Sequence, residues 1–354
     1  MPERNWGCRI SMDHTYKGYR LAVLENDELR VSVLLDKGAD IVEFQHKPSG
    51  TDFMWWTPWG LQQQGKMIPS SAMDEGLFGD YYQGCWQEIF PSGGVPNRHQ
   101  GTEYGLHGEA SLQPWEAKII KDTVDEVCLE ATVTTYRTPF RLTRRMTLKR
   151  GRAALIMENE AVNLSGETLD AMWGQHPAFG APFLNEHCRV DLPGARAVVH
   201  HHENAPYARL GKDAQGPWPK LKGKDGKMVD LSRFPKPGKK SADMLYLTDL
   251  KAAWYGLTDT KKKVGFGLAW DKKLWPHLWF WQVYGGATKG PFWGRTYNCA
   301  LEPFSSYPSG LANAAKAGTA LTFKPHETKR GWITAVAYDK KSRVRKVSRD
   351  GSVL

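Results

Sequence analysis

Residues 140–148 read Phe-Arg-Leu-Thr-Arg-Arg-Met-Thr-Leu, and residues 154–162 read Ala-Leu-Ile-Met-Glu-Asn-Glu-Ala-Val. In both stretches apolar and polar residues largely alternate. Successive side chains of a strand point to opposite faces, so this alternation predicts strands with one buried face and one wet face.

The same pattern continues in both directions along the chain. Apolar, β-branched runs cover residues 20–24, 29–35 and 41–45 upstream, and residues 264–270, 278–284 and 331–338 downstream. Long amphipathic helices are absent from the pattern, and strands without alternating helices favour a sandwich over a parallel α/β sheet. We therefore predict an all-β protein, a large antiparallel β-sandwich with few short helices. Residues 1–354 are expected to form a single domain, with a Lys/Gly/Pro-rich loop insertion near residues 211–240.

Composition narrows the class of protein. Hydrophobic residues make up 41% of the 354 residues and five cysteines are present, an odd number without close spacing. This argues against a disulfide framework and a cysteine-rich zinc site, and we expect no metal. No stretch approaches the roughly 20 apolar residues that cross a bilayer, and the N-terminus has no apolar signal region, so we expect a cytoplasmic protein without membrane contact.

The formal net charge is +10. Lysines concentrate between residues 212 and 240, and no zinc-finger, helix-turn-helix or RNA-recognition signature accompanies them. Nucleic acid is therefore the last-ranked partner. A solvated basic face is one interpretation, and attraction of an anionic ligand is the other.

Tryptophan is frequent, with 15 residues. Large aromatic side chains fill cores, but indole rings also stack on the C–H faces of sugars. Both interpretations stay open for the tryptophan-rich stretches at residues 55–59 and 275–293.

Three short segments place an ionisable side chain beside glycine or proline. They contain His107-Gly108, His176-Pro177 and Glu302-Pro303. Alone, a histidine in a sandwich is usually a hydrogen-bonded core residue, and a glutamate beside proline is usually at the surface. Together, two histidines and a carboxylate supply what proton transfer at neutral pH needs.

The order of several motifs resembles the aldose 1-epimerases, or galactose mutarotases, and the related hexose-6-phosphate epimerases. The motifs that carry the resemblance are the paired strands from Leu29 to Phe44, Phe90-Pro91 followed by His107-Gly108, Val162-Asn-Leu-Ser leading to His176, Asp243-Met-Leu-Tyr-Leu-Thr, and Glu302-Pro303. The usual Asn-Arg-Ile after Phe-Pro is missing, and Asn97-Arg98-His99 stands in its place. The resemblance covers about Leu21 to Tyr338 and implies the galactose mutarotase type of sandwich.

It also implies an enzyme that interconverts the α and β anomers of a hexose or hexose derivative by acid/base ring opening, without a cofactor. Glu302 is the expected base, because a carboxylate is ionised at neutral pH, and His176 the expected acid. His107 is expected to hydrogen-bond the ring oxygen or a nearby hydroxyl.

The expected substrate-binding residues are Asp243, Arg98 and Trp173. A turn-capping role for Asp243 and a surface position for Arg98 are the alternatives. The three histidines at 200–202 are interpreted as a polar strand end.

Other functions stay open. A non-catalytic carbohydrate-binding sandwich would keep the tryptophans and lose the acid or base, and lyase or glycosidase-associated domains share the fold. The partner expected is a monosaccharide or sugar derivative, neutral or anionic, bound by a monomer or homodimer.

Overall fold

A computed structural model describes residues 4–65, 76–200, 206–212 and 214–354 of the chain. The strands of the first half are β1 Arg9–Tyr16, β2 Tyr19–Glu25, β3 Leu29–Leu34, β4 Asp40–His46, β5 Thr51–Asp52, β6 Trp86–Ile89, β7 Asn97–His99, β8 Thr102–Tyr104, β9 Glu116–Asp122, β10 Glu126–Thr134, β11 Phe140–Lys149, β12 Ala154–Asn163, β13 Leu169–Ala171 and β14 Gly174–Gly180.

The strands of the second half are β15 Cys188–Asp191, β16 Arg196–Val199, β17 Gln215–Pro217, β18 Lys220–Lys222, β19 Met228–Asp230, β20 Ser241–Thr248, β21 Trp254–Asp259, β22 Val264–Trp270, β23 His277–Tyr284, β24 Tyr297–Phe304, β25 Leu321–Phe323 and β26 Thr328–Asp339. Helices are short: α1 Gly76–Tyr81, α2 Leu311–Lys316, and single 3-10 turns at Lys47–Ser49 and Ala110–Leu112.

Two large antiparallel sheets contain most of these strands. The larger sheet has 12 strands, in the order β1-β2-β3-β4-β6-β14-β24-β23-β20-β16-β17, with β5 paired to β4. The smaller sheet has eight strands, in the order β15-β21-β22-β26-β12-β11-β10-β9. The predicted all-β antiparallel architecture is confirmed.

The two sheets face each other across an apolar core. Phe266 of β22 in the smaller sheet lies 5.2 Å, ring to ring, from Phe44 of β4 in the larger sheet, and Trp86 of β6 also packs against it. The alternation that predicted β11 is realised here, because Leu142, Met146 and Leu148 are buried in this core. Burial of this apolar surface is the main stabilising contribution to the fold.

A buried polar cluster also joins the sheets. Arg144 of β11 pairs with Glu88 of β6, and both side chains are about 1% exposed. Glu88 also accepts hydrogen bonds from the Trp173 indole N–H and, at 2.7 Å, from Gln175 Nε2. A buried charge of this kind is tolerated only when paired and hydrogen-bonded, as it is here.

The segment at 211–240 differs from the predicted loop. It contains β17, which pairs with β16, and the hairpin β18–β19. The strand signal is obscured in the sequence because Lys220 and Lys222 of β18 face solvent while only Leu221 between them is buried.

All five cysteines are buried and unpaired. Among the described residues no helix is long and apolar enough to cross a bilayer.

Candidate functional site

Two adjoining cavities open on the face of the larger sheet that lies away from the smaller sheet. The first, the histidine chamber, measures about 220 Å³ and is lined by His107, His176, His200 and Glu302 among others. The second, the lysine chamber, measures about 250 Å³ and is lined by Lys212, Lys224 and Lys289 among others. Met244, Trp281 and Phe292 line both chambers, as does His200, so the two cavities are direct neighbours.

Strand register brings His176 and Glu302 together. β14 and β24 are antiparallel neighbours in which Gly174 pairs with Phe304 and Ala178 with Ala300, so His176 lies opposite Glu302. Glu302 of β24 lines the chamber, whereas its odd-numbered neighbours Cys299 and Leu301 belong to the core between the sheets. Both catalytic candidates therefore project from the middle of a rigid sheet.

The polar atoms of this pair lack partners. His176 Nε2 lies 3.6 Å from Glu302 Oε1, beyond ordinary hydrogen-bond distance. His176 Nδ1 and Glu302 Oε2 are buried and have no hydrogen-bond partner among the residues described. Buried polar atoms in native proteins are almost always hydrogen-bonded, so unpartnered ones beside a cavity are available to hydrogen-bond water or a ligand.

His107 enters the chamber from a loop between β8 and β9. Its backbone is left-handed, with φ of 63°, and its ring centroid lies 5.4 Å from that of His176. The Gly94 N–H donates to His107 Nδ1 at 3.2 Å, so a neutral His107 carries its proton on Nε2. The next residue, Gly108, has to be glycine, because a Cβ at this position would lie 2.7 Å from the Phe90 carbonyl oxygen.

Burial controls the protonation of all three groups. It raises the pKa of Glu302 well above its usual range and lowers the pKa of His176 to about 4. Burial, and secondarily the neighbouring His176, lowers the pKa of His107 well below its usual range. The free site therefore favours protonated Glu302 and neutral histidines, whereas the ordinary pKa values led us to expect ionised Glu302 and cationic His176.

His200 is a chamber residue whose role the sequence analysis missed. It directly follows the last residue of β16, in agreement with the predicted strand end. His201 and His202 lie outside the described residues. The Ser309 N–H donates to the Tyr246 hydroxyl oxygen at 2.9 Å, and that hydroxyl hydrogen-bonds His200 Nδ1. Tyr246 belongs to the Asp243-Met-Leu-Tyr motif that the sequence analysis singled out.

None of the three predicted substrate-binding residues lines the histidine chamber. Arg98, on β7, is 72% exposed, pairs with Glu103 of the adjacent β8, and lines neither chamber. Trp173 is 1% exposed and donates its indole N–H to Glu88 in the core, because odd-numbered residues next to and within β14 face the smaller sheet.

Asp243 lines the lysine chamber rather than the histidine chamber. Its carboxylate accepts from Arg209 Nε at 2.6 Å and from the backbone N–H groups of Arg209 and Leu210 at 2.9 and 3.1 Å. Asp243 therefore caps a loop, and its charge is already compensated.

Aromatic side chains form the remaining walls of the histidine chamber. They are Phe78, Tyr82, Trp279, Trp281 and Phe292. Flat apolar walls with a few convergent polar groups are typical of small-molecule sites. Across the described ranges no group of three or more potential ligands is placed to hold a metal ion.

Comparisons with known proteins agree with this fold. Residues 16–335 match the family described as a domain of unknown function, DUF4432. No curated protein matches the sequence. The structure is similar to that of a Klebsiella pneumoniae protein described as a "putative aldose 1-epimerase", with a TM-score of 0.72 and 16% identity over 94% of this chain and 83% of that one.

Two further solved structures are similar. The Slr1438 protein of Synechocystis has a TM-score of 0.63 and 18% identity, and covers 96% of this chain and 100% of its own. A galactose mutarotase-like protein of Clostridium acetobutylicum has a TM-score of 0.61 and 13% identity, over 94% of this chain and 99% of its own. At these identities the likeness shows the fold alone. The chain therefore belongs to the DUF4432 family and has the galactose mutarotase-like fold that its sequence motifs predicted.

Proposed function

We propose that this protein is an aldose 1-epimerase that interconverts the α and β anomers of a hexose or hexose derivative. The observation that carries the proposal is the buried, unpartnered pair of His176 and Glu302, 3.6 Å apart in a chamber of monosaccharide size. The fold shared with mutarotase-like proteins supports it.

Ring opening needs two proton transfers at atoms bonded to the same carbon. A base removes the proton from the O1 hydroxyl, the C1–O5 bond breaks as C1=O1 forms, and an acid protonates O5. Because O1 and O5 are both attached to C1, the acid and the base must lie close together. His176 and Glu302 meet this requirement.

The pKa directions favour neutral His176 as the base and protonated Glu302 as the acid. This exchanges the roles expected from ordinary pKa values. Opening leaves an imidazolium and a carboxylate. After rotation about C1–C2, the imidazolium returns its proton to O1, the carboxylate takes the proton from O5, and the ring closes on the other face. Both residues recover their starting state, so the proton balance closes within one turnover.

The remaining residues of the chamber bind and orient the sugar. His107 offers its Nε2–H as a donor. The partly exposed indole of Trp281 provides a flat face for the sugar's C–H surface. Each positioned acid or base contributes about 10²–10⁴-fold to the rate.

The test is polarimetry with freshly dissolved α-glucose and α-galactose. We expect Glu302→Gln and His176→Asn to fold normally and to lose at least about 10²-fold in mutarotation, because each removes one proton-transfer partner. Glu167→Gln and His187→Asn, on exposed residues outside both chambers, are the matched controls.

Wild-type rates in either chamber variant would remove that residue from the mechanism. A wild-type protein that binds these sugars and mutarotates none would be a carbohydrate-binding protein instead.

A further inference from the structure

The lysine chamber is built by three separate loops. Lys212 lies between β16 and β17, Lys224 between β18 and β19, and Lys289 between β23 and β24. These loops are far apart in sequence, yet the fold brings all three ammonium-bearing side chains to one cavity of about 250 Å³.

The charge of this chamber is not balanced by its own lining. Asp243 is the single carboxylate among the described lining residues, and Arg209 already pairs with it. In the part of the chain that the structure describes, none of the three lysines has a carboxylate within ion-pair distance. Clustered like charges around a cavity raise the local concentration of an anion.

The walls between the charges are apolar. Val199, Leu210, Ala242 and Val283 line the same cavity, which shares Met244, Trp281 and Phe292 with the histidine chamber. A ligand with its C1 end at His176 and Glu302 can therefore extend into the lysine chamber.

We propose that the lysine chamber binds an anionic group, a phosphate, sulfonate or carboxylate, carried by the substrate on a carbon away from C1. This inference rests on the proposed function and names the substrate class of that site. The residues responsible are Lys212, Lys224 and Lys289. Lysine binds oxyanions as a point charge rather than as a planar fork, so the site accepts all three oxyanion chemistries.

The experiment compares kcat/KM for glucose, glucose 6-phosphate, 6-sulfonated glucose and glucuronate. It uses the wild type, the triple variant Lys212→Met, Lys224→Met, Lys289→Met, and a control triple variant, Lys261→Met, Lys262→Met, Lys272→Met. The control removes the same number of positive charges from exposed positions around β22 that line neither chamber.

We expect the wild type and the control to prefer at least one anionic sugar over glucose by about tenfold or more, since three partly exposed contacts each contribute modestly. The preference should fall as salt concentration rises and should disappear in the chamber variant. Comparing the three anions identifies which oxyanion the chamber takes.

Equal kcat/KM for glucose and every anionic sugar, or a preference that survives in the chamber variant, would overturn the inference and leave the proposed function intact. If no sugar is turned over, the proposed function fails, and calorimetric titration of glucose 6-phosphate decides the inference separately. Binding lost in the chamber variant but kept in the control would support it, and absence of binding to the wild type would refute it.

Discussion

His176 and Glu302 are held opposite each other without a hydrogen bond between them, and burial disfavours the charged form of each. A pair of neutral groups costs less to bury than a pair of ions without partners. Under the proposed function, the sheet keeps an acid and a base side by side in the protonation states that the reaction needs.

The pH dependence of activity follows from these shifts. The lowered pKa of His176, about 4, means that the base stays neutral from neutral pH down to that value. We expect kcat/KM, measured by polarimetry and corrected for the spontaneous reaction, to be flat between pH 7 and 5 and to fall as the pH approaches 4.

Circular dichroism at each pH checks that the protein is still folded. A half-maximal rate near pH 6.5, the ordinary value for histidine, would show that burial does not shift His176.

Residue-level prediction reached the three groups beside glycine or proline, His107, His176 and Glu302, and the structure places them in one chamber. The sequence did not show that Trp281 lines the cavity whereas Trp173 lies in the core. Both are tryptophans near the ends of apolar runs, and which one faces the cavity depends on strand register against neighbours distant in sequence. Arg98 lies outside both chambers for a related reason, because the β7–β8 hairpin pairs its guanidinium with Glu103.

At the scale of elements, the short strand β5 places the carboxyl group of Asp52 where burial disfavours its ionised form. Asp52 Oδ1 accepts the N–H groups of Phe44 and Met54, both at 3.0 Å. Burial nevertheless raises the pKa of Asp52 to about 6. Ionised Asp52 is therefore less stable in the folded protein than in the unfolded chain.

Asp52→Asn should stabilise the protein above pH 6. The folded pKa exceeds the unfolded one, so ionisation costs stability as the pH rises from about 4 to about 6, up to about 3 kcal/mol. Asparagine keeps an acceptor for the two N–H groups. We expect the free energy of unfolding in urea to rise by about 1–3 kcal/mol at pH 7.5, and the gain to vanish below about pH 4.

Asp13→Asn, on an exposed residue of β1, is the control and should change little. A gain in Asp52→Asn that is independent of pH would contradict the explanation by burial.

Strands were predicted well where one face is buried and the other is exposed. They were missed where lysines occupy most positions and no alternation of apolar and polar residues is visible. β11 and β12 are visible in the sequence because each alternates over its length. The strands β17–β19 are not, because they are three residues long and only Leu221 of β18 is buried.

At the scale of the whole molecule, the buried Arg144–Glu88 pair connects the two sheets beneath the site. Glu88 also holds Gln175, the neighbour of His176, so the pair orients β14 as well as joining the layers. Removing one partner of such a pair leaves a buried charge uncompensated.

We expect Arg144→Met to lower the free energy of unfolding by about 3–5 kcal/mol. Adding Glu88→Gln should restore part of this loss, because the remaining charge is then removed. Urea denaturation of both single variants and the double variant gives the coupling free energy between Arg144 and Glu88. Arg145→Met should cost less than about 1 kcal/mol, because the Arg145 side chain is exposed and its partner Glu130 keeps a second ion pair with Lys118. Additive losses in the double variant would show that Arg144 and Glu88 do not act as a pair.

The separation of the two chambers has a further chemical consequence. The proposed reaction passes through an open-chain aldehyde, and aldehydes condense with primary amines to form imines. No lysine is among the described residues that line the histidine chamber, whereas three line the neighbouring one. A sugar anchored by its anionic end at the lysines presents C1 to imidazole and carboxyl groups only. Under the proposed function, the same division would keep the open-chain aldehyde away from lysine amines and so limit glycation of the protein.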